Sequence, residues 1–280
     1  MAHSIDEKVH NGTISILMGI YNCAPTLREA IDSIIDQTYD NWELILCDDC
    51  STDDTYNIAA EYRDKYPEKI ILLQNKTNSR LAFTLNYCLE HATGEFVARM
   101  DGDDISAPDR FEKQVAFLKS HPDIVLVGTA MQRFSDDGSY GAIAYCEEYP
   151  DKDTPYKTGL VFNHATIMAY RWVYEELGGY TVSPRTMRGQ DRDLWYRFLA
   201  AGYKGANIQE PLYLVRENED AIKRRSSKVR WNSYKTEVIG YSLLHYNFLR
   251  YIKPTIGLLK IFVPANLMLY YRKWQAEHQK

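Results

Sequence analysis

The sequence predicts an α/β fold, with a Rossmann-like, mostly parallel sheet flanked by helices and a helical C-terminal extension. Short apolar runs of strand composition alternate with segments of helical periodicity through the first half of the chain, which is typical of βαβ units. Acidic clusters directly follow two of the strand runs. With 280 residues, 45% of them hydrophobic, the chain is long enough for one such domain and an appendage.

The predicted strands are apolar runs bounded by polar residues, and they cover residues 13–20, 42–47, 69–74, 95–100, 124–128 and 160–169. The predicted helices have apolar residues at helical spacing, and they cover residues 25–37, 51–66, 81–92, 108–119, 171–177 and 190–201. Pro25 suits a first helical turn, and Ser51-x-x-Asp54 matches a capping box at the start of the second helix.

The expected organisation is a disordered N-terminus over residues 1–12, one α/β domain over 13–220 and the helical extension over 221–280. A net charge of -5 argues against a nucleic-acid partner. The first residues lack the apolar core of a secretory peptide, and an odd count of five cysteines argues against a disulfide framework, so we expect a cytoplasmic protein. The C-x-x-C pair Cys47 and Cys50 has no second pair with which to complete a zinc site.

The strongest chemical signal is the run Asp101-Gly102-Asp103-Asp104, which follows the fourth predicted strand. Clustered carboxylates repel one another unless a cation neutralises them, and Mg²⁺ or Mn²⁺ typically takes one or two carboxylates together with phosphate oxygens. A calcium EF-hand also places acids at these spacings, but Ile105 and Ser106 occupy positions at which that loop requires an oxygen ligand and a glycine. The run therefore predicts a site for a metal–diphosphate pair, with a solvated acidic loop as the alternative.

Four blocks in order resemble the inverting glycosyltransferase family 2, of the bacterial surface-polysaccharide type, whose members have the GT-A fold. The blocks are the opening strand and donor loop, the "DDGSTD" block, the D-x-D block and the "EDYDLW" block, and they match Ile14 to Asn22, Leu46 to Thr55, Gly94 to Asp104 and Gly189 to Leu199. The resemblance implies a glycosyltransferase that moves a sugar from a nucleotide-diphosphate sugar, with UDP the expected nucleotide. It implies a hydroxyl acceptor on a saccharide or lipid-linked saccharide, with Mn²⁺ or Mg²⁺ as cofactor.

Several roles at the donor end are implied by the resemblance alone. Asp49 would accept from the ring N–H of a uracil-type base, while Ile20, Tyr21 and Asn22 would line the base and ribose pocket. Asp101 would lie near the ribose, which leaves the other members of the run for the cation. Asp103 is the favoured metal ligand, and Asp104 is expected to help either neighbour.

At the acceptor end, the resemblance makes Asp191 the catalytic base, because transfer to a hydroxyl requires a positioned carboxylate. Asp193 lies two residues on and cannot share its helix face, so it is interpreted as a helix-start charge. His164 matches a histidine often found near the acceptor, with a structural role as the alternative.

The sequence departs from the family pattern at several positions. Cys50 and Arg80 stand where glycine is usual, and Arg80 is expected to reach the diphosphate. Gln190 replaces a common glutamate beside the base. Asn218 falls near the position of a metal-binding histidine, so it is a candidate third ligand.

Residues 238–276 contain no aspartate or glutamate but five lysines and arginines among many apolar side chains. Such a segment suits the surface of an anionic membrane, which would place the protein peripherally on the inner face of the plasma membrane. The alternative is a helix pair packed on the α/β domain or on a second copy in a homodimer. Two rival functions also stay open, a sugar-nucleotide nucleotidyltransferase and a non-catalytic nucleotide- or glycan-binding module.

Overall fold

The computed structural model describes residues 11–217 and 227–259. Within them one mixed nine-stranded sheet runs in the order β3-β2-β1-β4-β8-β6-β9-β5, and β7 pairs with β6. The strands are β1 (Ile14–Ile20), β2 (Trp42–Asp48), β3 (Ile70–Gln74), β4 (Phe96–Arg99), β5 (Ile105–Ser106), β6 (Leu126–Phe134), β7 (Tyr140–Ala144), β8 (Met168–Tyr170) and β9 (Gly205–Arg216). The helices are α1 (Ala24–Ile35), α2 (Thr55–Lys65), α3 (Leu81–Leu89), α4 (Arg110–Ser120), α5 (Thr154–Lys157), α6 (Arg171–Leu177), α7 (Gln190–Ala200), α8 (Ser227–Leu243) and α9 (Ile252–Leu259).

The first four long strands form the predicted parallel half of the sheet. β1 pairs in parallel with β2 and β4, and β2 pairs with β3. Both faces of this half are covered, as expected for parallel strands that are apolar along their whole length. One core contains the buried face of α1 (Leu27, Ala30, Ile31 and Ile34), and the other contains the buried residues of α3, α6 and α7. The predicted α/β fold with helices on both faces is confirmed.

The predicted strand over residues 160–169 is wrong except at its end. Only Met168–Tyr170 is a strand, and it enters the sheet antiparallel between β4 and β6. Before it, a 3₁₀ turn covers His164–Thr166, and polar side chains bond to the neighbouring strand in place of a backbone ladder. Asn163 donates to the carbonyl of Thr129, and the Thr166 hydroxyl accepts from the Thr129 amide at 2.9 Å. The apolar composition of this segment reflects burial in a loop.

The predicted capping box at Ser51 is also wrong. α2 begins at Thr55 with Asp54 as its N-cap, and the cap residue makes no side-chain hydrogen bond to the helix. The Ser51 hydroxyl instead accepts from the amide of Asn22 at 3.0 Å, and Asp53 accepts from the amide of Ala24 at 3.2 Å. Both side chains are occupied in holding the loop after β2 against the loop after β1, so the helix starts later.

The sequence did not predict β9, the longest strand that the structure describes. Pro211 interrupts its apolar pattern, and the pairing with β6 shifts register between Thr129 and Met131, where the strand accommodates that proline. Its distal part pairs with the two-residue strand β5, with Ile105 opposite Leu214. This pairing fixes the end of the acidic run Asp101–Asp104 against the sheet.

The described part of the extension packs on the α/β domain. α8 lies against α7, with Arg192 paired to Glu237 at 2.6 Å and Tyr241 buried against Tyr196. A 3₁₀ turn, Phe248–Tyr251, then leads into α9. None of the described helices is long and apolar enough to cross a membrane. Residues 1–10, 218–226 and 260–280 lie outside the described residues.

Candidate active site

The predicted donor residues lie at one edge of the sheet, where the parallel strands end. Ile20 is in register with Asp48, and the amide of Asp49 donates to the Ile20 carbonyl at 2.8 Å. Gly102 lies against the same loop, because a Cβ on it would come within 3.0 Å of both Cys23 Sγ and the Ile20 side chain. A glycine is therefore needed to bring the acidic run beside the loop after β1.

Asp49 is almost fully buried and organises the loop after β3. Its Oδ1 accepts from Asn75 Nδ2 at 2.8 Å and from the Ser79 amide at 2.6 Å, while its Oδ2 accepts from the Arg80 amide at 2.9 Å. A carboxylate oxygen has two lone-pair sites, so Oδ2 retains one for a further donor. This free acceptor is what the predicted contact with a base N–H requires.

The predicted base and ribose pocket consists of three residues in very different environments. Ile20 is buried in the core, whereas Tyr21 is 47% exposed at the mouth of the crevice. Asn22 has a positive φ of 48° and its side-chain oxygen accepts from the Thr52 amide at 2.8 Å. The loop after β1 is thus fixed, and it presents Tyr21 to solvent.

The two positions at which this chain lacks the usual glycine keep a glycine-like backbone. Cys50 has φ 62°, and Arg80 has φ 72° with ψ 163°. The second conformation is one that side chains other than glycine rarely adopt, and it costs on the order of 1–3 kcal/mol. The hydrogen bond from the Arg80 amide to Asp49 holds this backbone in place, and the Arg80 side chain is exposed beside the crevice.

The three carboxylates of the acidic run have different partners. Asp101 forms an ion pair with the buried guanidinium of Arg99, with 2.5 Å between its Oδ1 and Arg99 Nη2. The carboxylate of Asp103 accepts no hydrogen bond from another described residue, whereas its backbone carbonyl accepts from Arg216 Nε at 3.0 Å. Burial, together with the charge of Asp101, raises the pKa of Asp103. Its carboxylate is the member of the run that lacks a compensating partner.

Asp104 is almost completely buried. Its Oδ1 accepts from the Arg216 amide at 2.8 Å, and it contacts the hydroxyl of the buried Tyr213. Burial and the charges of Asp101 and Asp103 raise the pKa of Asp104 to about 8. Asp104 therefore joins the acidic run to β9, and its predicted metal role stays a prediction.

The donor set suits a hard cation only if the substrate completes it. Among the described residues, no three His, Cys, Asp or Glu side chains converge as a protein-only metal site. Mg²⁺ and Mn²⁺ sites on phosphate substrates typically use one or two carboxylates with phosphate oxygens and water, which the uncompensated Asp103 fits. Asn218, the candidate third ligand, lies outside the described residues.

Asp191 lies in the first turn of α7, where it lines a small cavity of about 90 Å³. The cavity is bounded by α5 and the loop after it on one side and by α7 on the other, and its lining includes Pro155, Leu160 and Trp195. A carboxylate at the wall of an apolar cavity can receive a proton from a hydroxyl bound there. The predicted role of Asp191 as the catalytic base stays a prediction.

Asp193 lies in the first turn of α7, as the helix-start charge that the sequence suggested, and it also has three side-chain partners. It is buried and accepts from Thr181 at 2.6 Å, from Arg185 at 2.5 Å and from Arg197 at 2.9 Å. Although burial opposes ionisation, these hydrogen bonds and the charge of Arg197 lower the pKa of Asp193. The residue ties the loop before α7 to the helix that carries Asp191.

His164 lies between the two ends of the site. Its Nε2 is 2.9 Å from the Tyr180 hydroxyl, and its ring stands edge-on to Trp195 with centroids 6.1 Å apart. Burial, with a smaller contribution from the charge of Arg99, lowers the pKa of His164, so the imidazole is neutral at pH 7. Its predicted contact with the acceptor stays a prediction.

Tyr180 is a buried residue whose hydroxyl lies 2.9 Å from His164 Nε2. Burial and the adjacent Tyr174 raise the pKa of its hydroxyl, which also lies within electrostatic reach of both Arg99 and Asp191. The sequence analysis missed Arg99 and Tyr180. Arg99 could have been noticed as a charged residue inside the apolar strand run EFVARM, whereas no sequence pattern marks Tyr180.

Comparisons with known proteins show the family to which the chain belongs. The family model "Glycosyl transferase family 2" matches residues 15–177, so the chain belongs to glycosyltransferase family 2 and is a glycosyltransferase. EpsE of Bacillus subtilis (strain 168) is 46% identical over 275 residues, 95% of either chain. The Escherichia coli protein WfaP, a UDP-Glc:alpha-D-GlcNAc-diphosphoundecaprenol beta-1,3-glucosyltransferase, is 24% identical over 88% of this chain and 94% of its own.

The fold also matches a solved glycosyltransferase. The mannosyltransferase PcManGT from Pyrobaculum calidifontis, solved with GDP-Man and Mn²⁺, superposes with a TM-score of 0.63 at 20% identity. The match covers 95% of this chain and 81% of that one. At this identity the similarity concerns the fold, which is the predicted GT-A-like α/β architecture.

Proposed function

We propose that the protein transfers a sugar from a nucleoside diphosphate sugar, with UDP as the nucleotide, to a hydroxyl of a saccharide or lipid-linked saccharide acceptor, with inversion. The observation that carries the proposal is the acidic run after β4, in which the Asp103 carboxylate is buried beside Asp101 without a hydrogen bond from another described residue, as a site for a departing diphosphate and its cation requires. The name of WfaP contains both a UDP-sugar and a diphosphate-linked lipid, which supports this choice of donor and acceptor.

At the donor end, Asp49 accepts the base N–H, Tyr21 and Asn22 flank the nucleoside, and Asp101 accepts from the ribose. Asp103 would hold Mn²⁺ or Mg²⁺ together with the donor phosphates, and the exposed Arg80 reaches the diphosphate. A divalent cation at this position neutralises the charge that develops on a departing diphosphate. Its binding to a carboxylate and a diphosphate together is consistent with the unpaired state of Asp103.

At the acceptor end, Asp191 takes the proton of the attacking hydroxyl. The hydroxyl oxygen forms a bond to the anomeric carbon while the bond from that carbon to the diphosphate oxygen breaks. The attack comes from the face opposite the leaving group, so the configuration inverts. Trp195 lines the cavity beside Asp191, and His164, whose ring is edge-on to Trp195, contacts the acceptor.

The extension gives the acceptor end a surface suited to a bilayer, and we include membrane docking in the proposal. Phe248, Leu249, Ile252 and Ile256 are 79%, 56%, 53% and 57% exposed. Residues 238–276 contain none of the chain's 38 aspartates and glutamates, which favours an anionic partner. Lys253 of α9 bonds to carbonyls of α5, whose Pro155 lines the cavity beside Asp191. A bilayer bound at Phe248 therefore brings a lipid-linked acceptor close to the base.

Catalysis is tested with nucleotide release from a panel of UDP-sugars and GDP-sugars, with and without Mn²⁺. We expect UDP release that depends on Mn²⁺, and we expect Asp191→Asn to abolish transfer while leaving UDP binding unchanged. Asp123→Asn removes an exposed carboxylate far along the chain and serves as the control. Undiminished turnover in Asp191→Asn refutes the assignment of the base, and UDP binding that is indifferent to Mn²⁺ refutes the donor site.

Membrane docking is tested by co-sedimentation with vesicles of phosphatidylcholine alone or mixed with phosphatidylglycerol. Substituting serine for Phe248, Ile252 and Ile256 together should reduce partition onto anionic vesicles at least tenfold, since burial of one such side chain contributes roughly 1.5–3 kcal/mol. The control is Tyr140→Ser, which removes another side chain that is 65% exposed. Equal pelleting of the triple variant and the wild type would remove this surface from the proposal.

A further inference from the structure

The guanidinium of Arg99 is incompletely paired in the interior. Arg99 is 2% exposed at the end of β4, and its Nη2 binds Asp101. Its Nε and Nη1 have no hydrogen-bond partner among the described residues. A buried donor without a partner costs about 1–3 kcal/mol, and more when it is charged, so an arrangement of this kind needs an explanation.

Arg110, the other fully buried arginine of the described chain, provides a contrast. Its guanidinium donates to Gln114 Oε1 at 3.1 Å, to the Arg99 carbonyl at 2.7 Å and to Met100 Sδ at 3.8 Å. It also donates to the Ala165 carbonyl at 3.5 Å, and all four partners belong to the protein and are neutral. Arg110 is therefore satisfied as a core residue, whereas Arg99 has one anionic partner and two unused N–H groups.

The surroundings of Arg99 indicate what those groups face. Its charge acts on Asp101 and Tyr213 at the acidic run and on Tyr180 and His164 towards the acceptor cavity. A donor whose diphosphate lies at Asp103 and whose anomeric carbon faces Asp191 has to cross this interval. The oxygens of its sugar and diphosphate are acceptors that the protein does not itself supply.

We propose that Arg99 is a positioning residue for the donor. It holds Asp101 as a hydrogen-bond acceptor for the donor, so that Asp103 is the carboxylate left for the cation, and the bound donor completes the hydrogen bonding of Nε and Nη1. This inference rests on the proposed function.

The inference predicts effects of opposite sign on the two ligands. Without the guanidinium, Asp101 is released and a nearby positive charge is lost, so a divalent cation alone binds more tightly. The donor nucleotide loses Asp101 as a positioned hydrogen-bond acceptor and loses the positive charge of the guanidinium, so UDP binds more weakly. A variant that is merely misfolded loses both ligands together.

The experiment compares full-length wild type, Arg99→Gln, Arg99→Lys and the control Arg110→Lys. Calorimetry measures Mn²⁺ binding without nucleotide and UDP binding at saturating Mn²⁺, and thermal melts report folding. For Arg99→Gln we expect Mn²⁺ alone to bind about tenfold more tightly and UDP about tenfold more weakly, the order expected for removal of one charge at short range. Arg99→Lys keeps the charge, so Mn²⁺ affinity should stay at the wild-type value while UDP affinity falls less.

Three results would overturn the inference. In the first, both affinities of Arg99→Gln fall together or neither changes. In the second, Arg110→Lys shows the same opposite shifts. The third result applies if Arg99→Gln has no cooperative melt and is therefore unfolded. In that case, the inference is overturned if Arg99→Lys binds UDP no better than Arg99→Gln does. If wild type itself binds UDP equally with and without Mn²⁺, the proposed function fails, and that outcome is distinct from a failure of Arg99 alone.

Discussion

Asp193 offers the most quantitative test of how the site is built. Asp193→Asn keeps the shape of the side chain but removes the charge that two arginines and a threonine hydroxyl share. Removing one partner of a buried ion pair typically costs about 3–5 kcal/mol. Here the side chains of Arg185 and Arg197 are each 20% exposed, and Arg197 also donates to the carbonyls of Leu177 and Gly179. Because these contacts survive the substitution, we expect the lower end, about 3 kcal/mol.

The pH dependence of the free energy of unfolding provides a second test of the role of Asp193. The pKa of Asp193 is lowered in the folded protein, so its contribution is complete above the unfolded value of 3.8 and disappears only as pH falls through the folded value. The stability difference between wild type and Asp193→Asn should therefore be constant from pH 7 to pH 5. Urea unfolding at several pH values measures it, and a loss of about 3 kcal/mol corresponds to roughly 10 °C in melting temperature.

The exposed pair of Asp123 and Lys204, 63% and 68% exposed, is the matched control. Asp123→Asn should cost about 0–1 kcal/mol, because solvent screens such a pair. A loss below 1 kcal/mol in Asp193→Asn, or a difference that already closes between pH 7 and pH 5, would refute the account of Asp193 as a buried, ionised centre.

Two further predictions concern backbone and packing. Arg80→Gly should stabilise the fold by about 1 kcal/mol, because glycine adopts φ 72° and ψ 163° without strain. The same substitution should weaken binding of the donor diphosphate. Thermal melts and UDP calorimetry measure the two effects, and a lower melting temperature would contradict the first. Gly240→Ala should cost about 1–3 kcal/mol in urea unfolding, because the new Cβ would overlap the ring of Tyr196. Gly257→Ala, where nothing lies within 4 Å, should be neutral or stabilising, and equal effects of the two changes would show that α8 is not packed as described.

The parallel half of the fold was predictable because its signals are local. Each strand from β1 to β4 is one apolar run, and each helix between them carries its own periodicity. The second half was predicted less well because its elements depend on distant partners. Asn163 and Thr166 bond to Thr129, which turns an apolar segment into a loop, and Pro211 is tolerated in β9 only through a register shift opposite β6.

The same distinction applies to the site. The carboxylates at Asp49, Asp101, Asp103 and Asp191 follow strand ends or begin a helix, so position in the sequence identified them. Their electrostatic differences were not predictable, because they arise from groups far away in the sequence. Arg216 reaches Asp104 across 112 residues. The charge of Arg99 also acts on Tyr180, which lies beyond β8 in the sequence.

The close approach of Gly240 to Tyr196 has a practical consequence for anyone who shortens this chain. Tyr196 lies on the same helix as Asp191, and α8 covers it together with Tyr241. A protein ending before Ser227 would leave that aromatic surface open to water and would lose the pair between Arg192 and Glu237 one residue from the base. Inactivity of such a truncation would therefore report damage to the helix that presents Asp191, and point substitutions at Phe248 and Ile252 are the appropriate way to separate docking from catalysis.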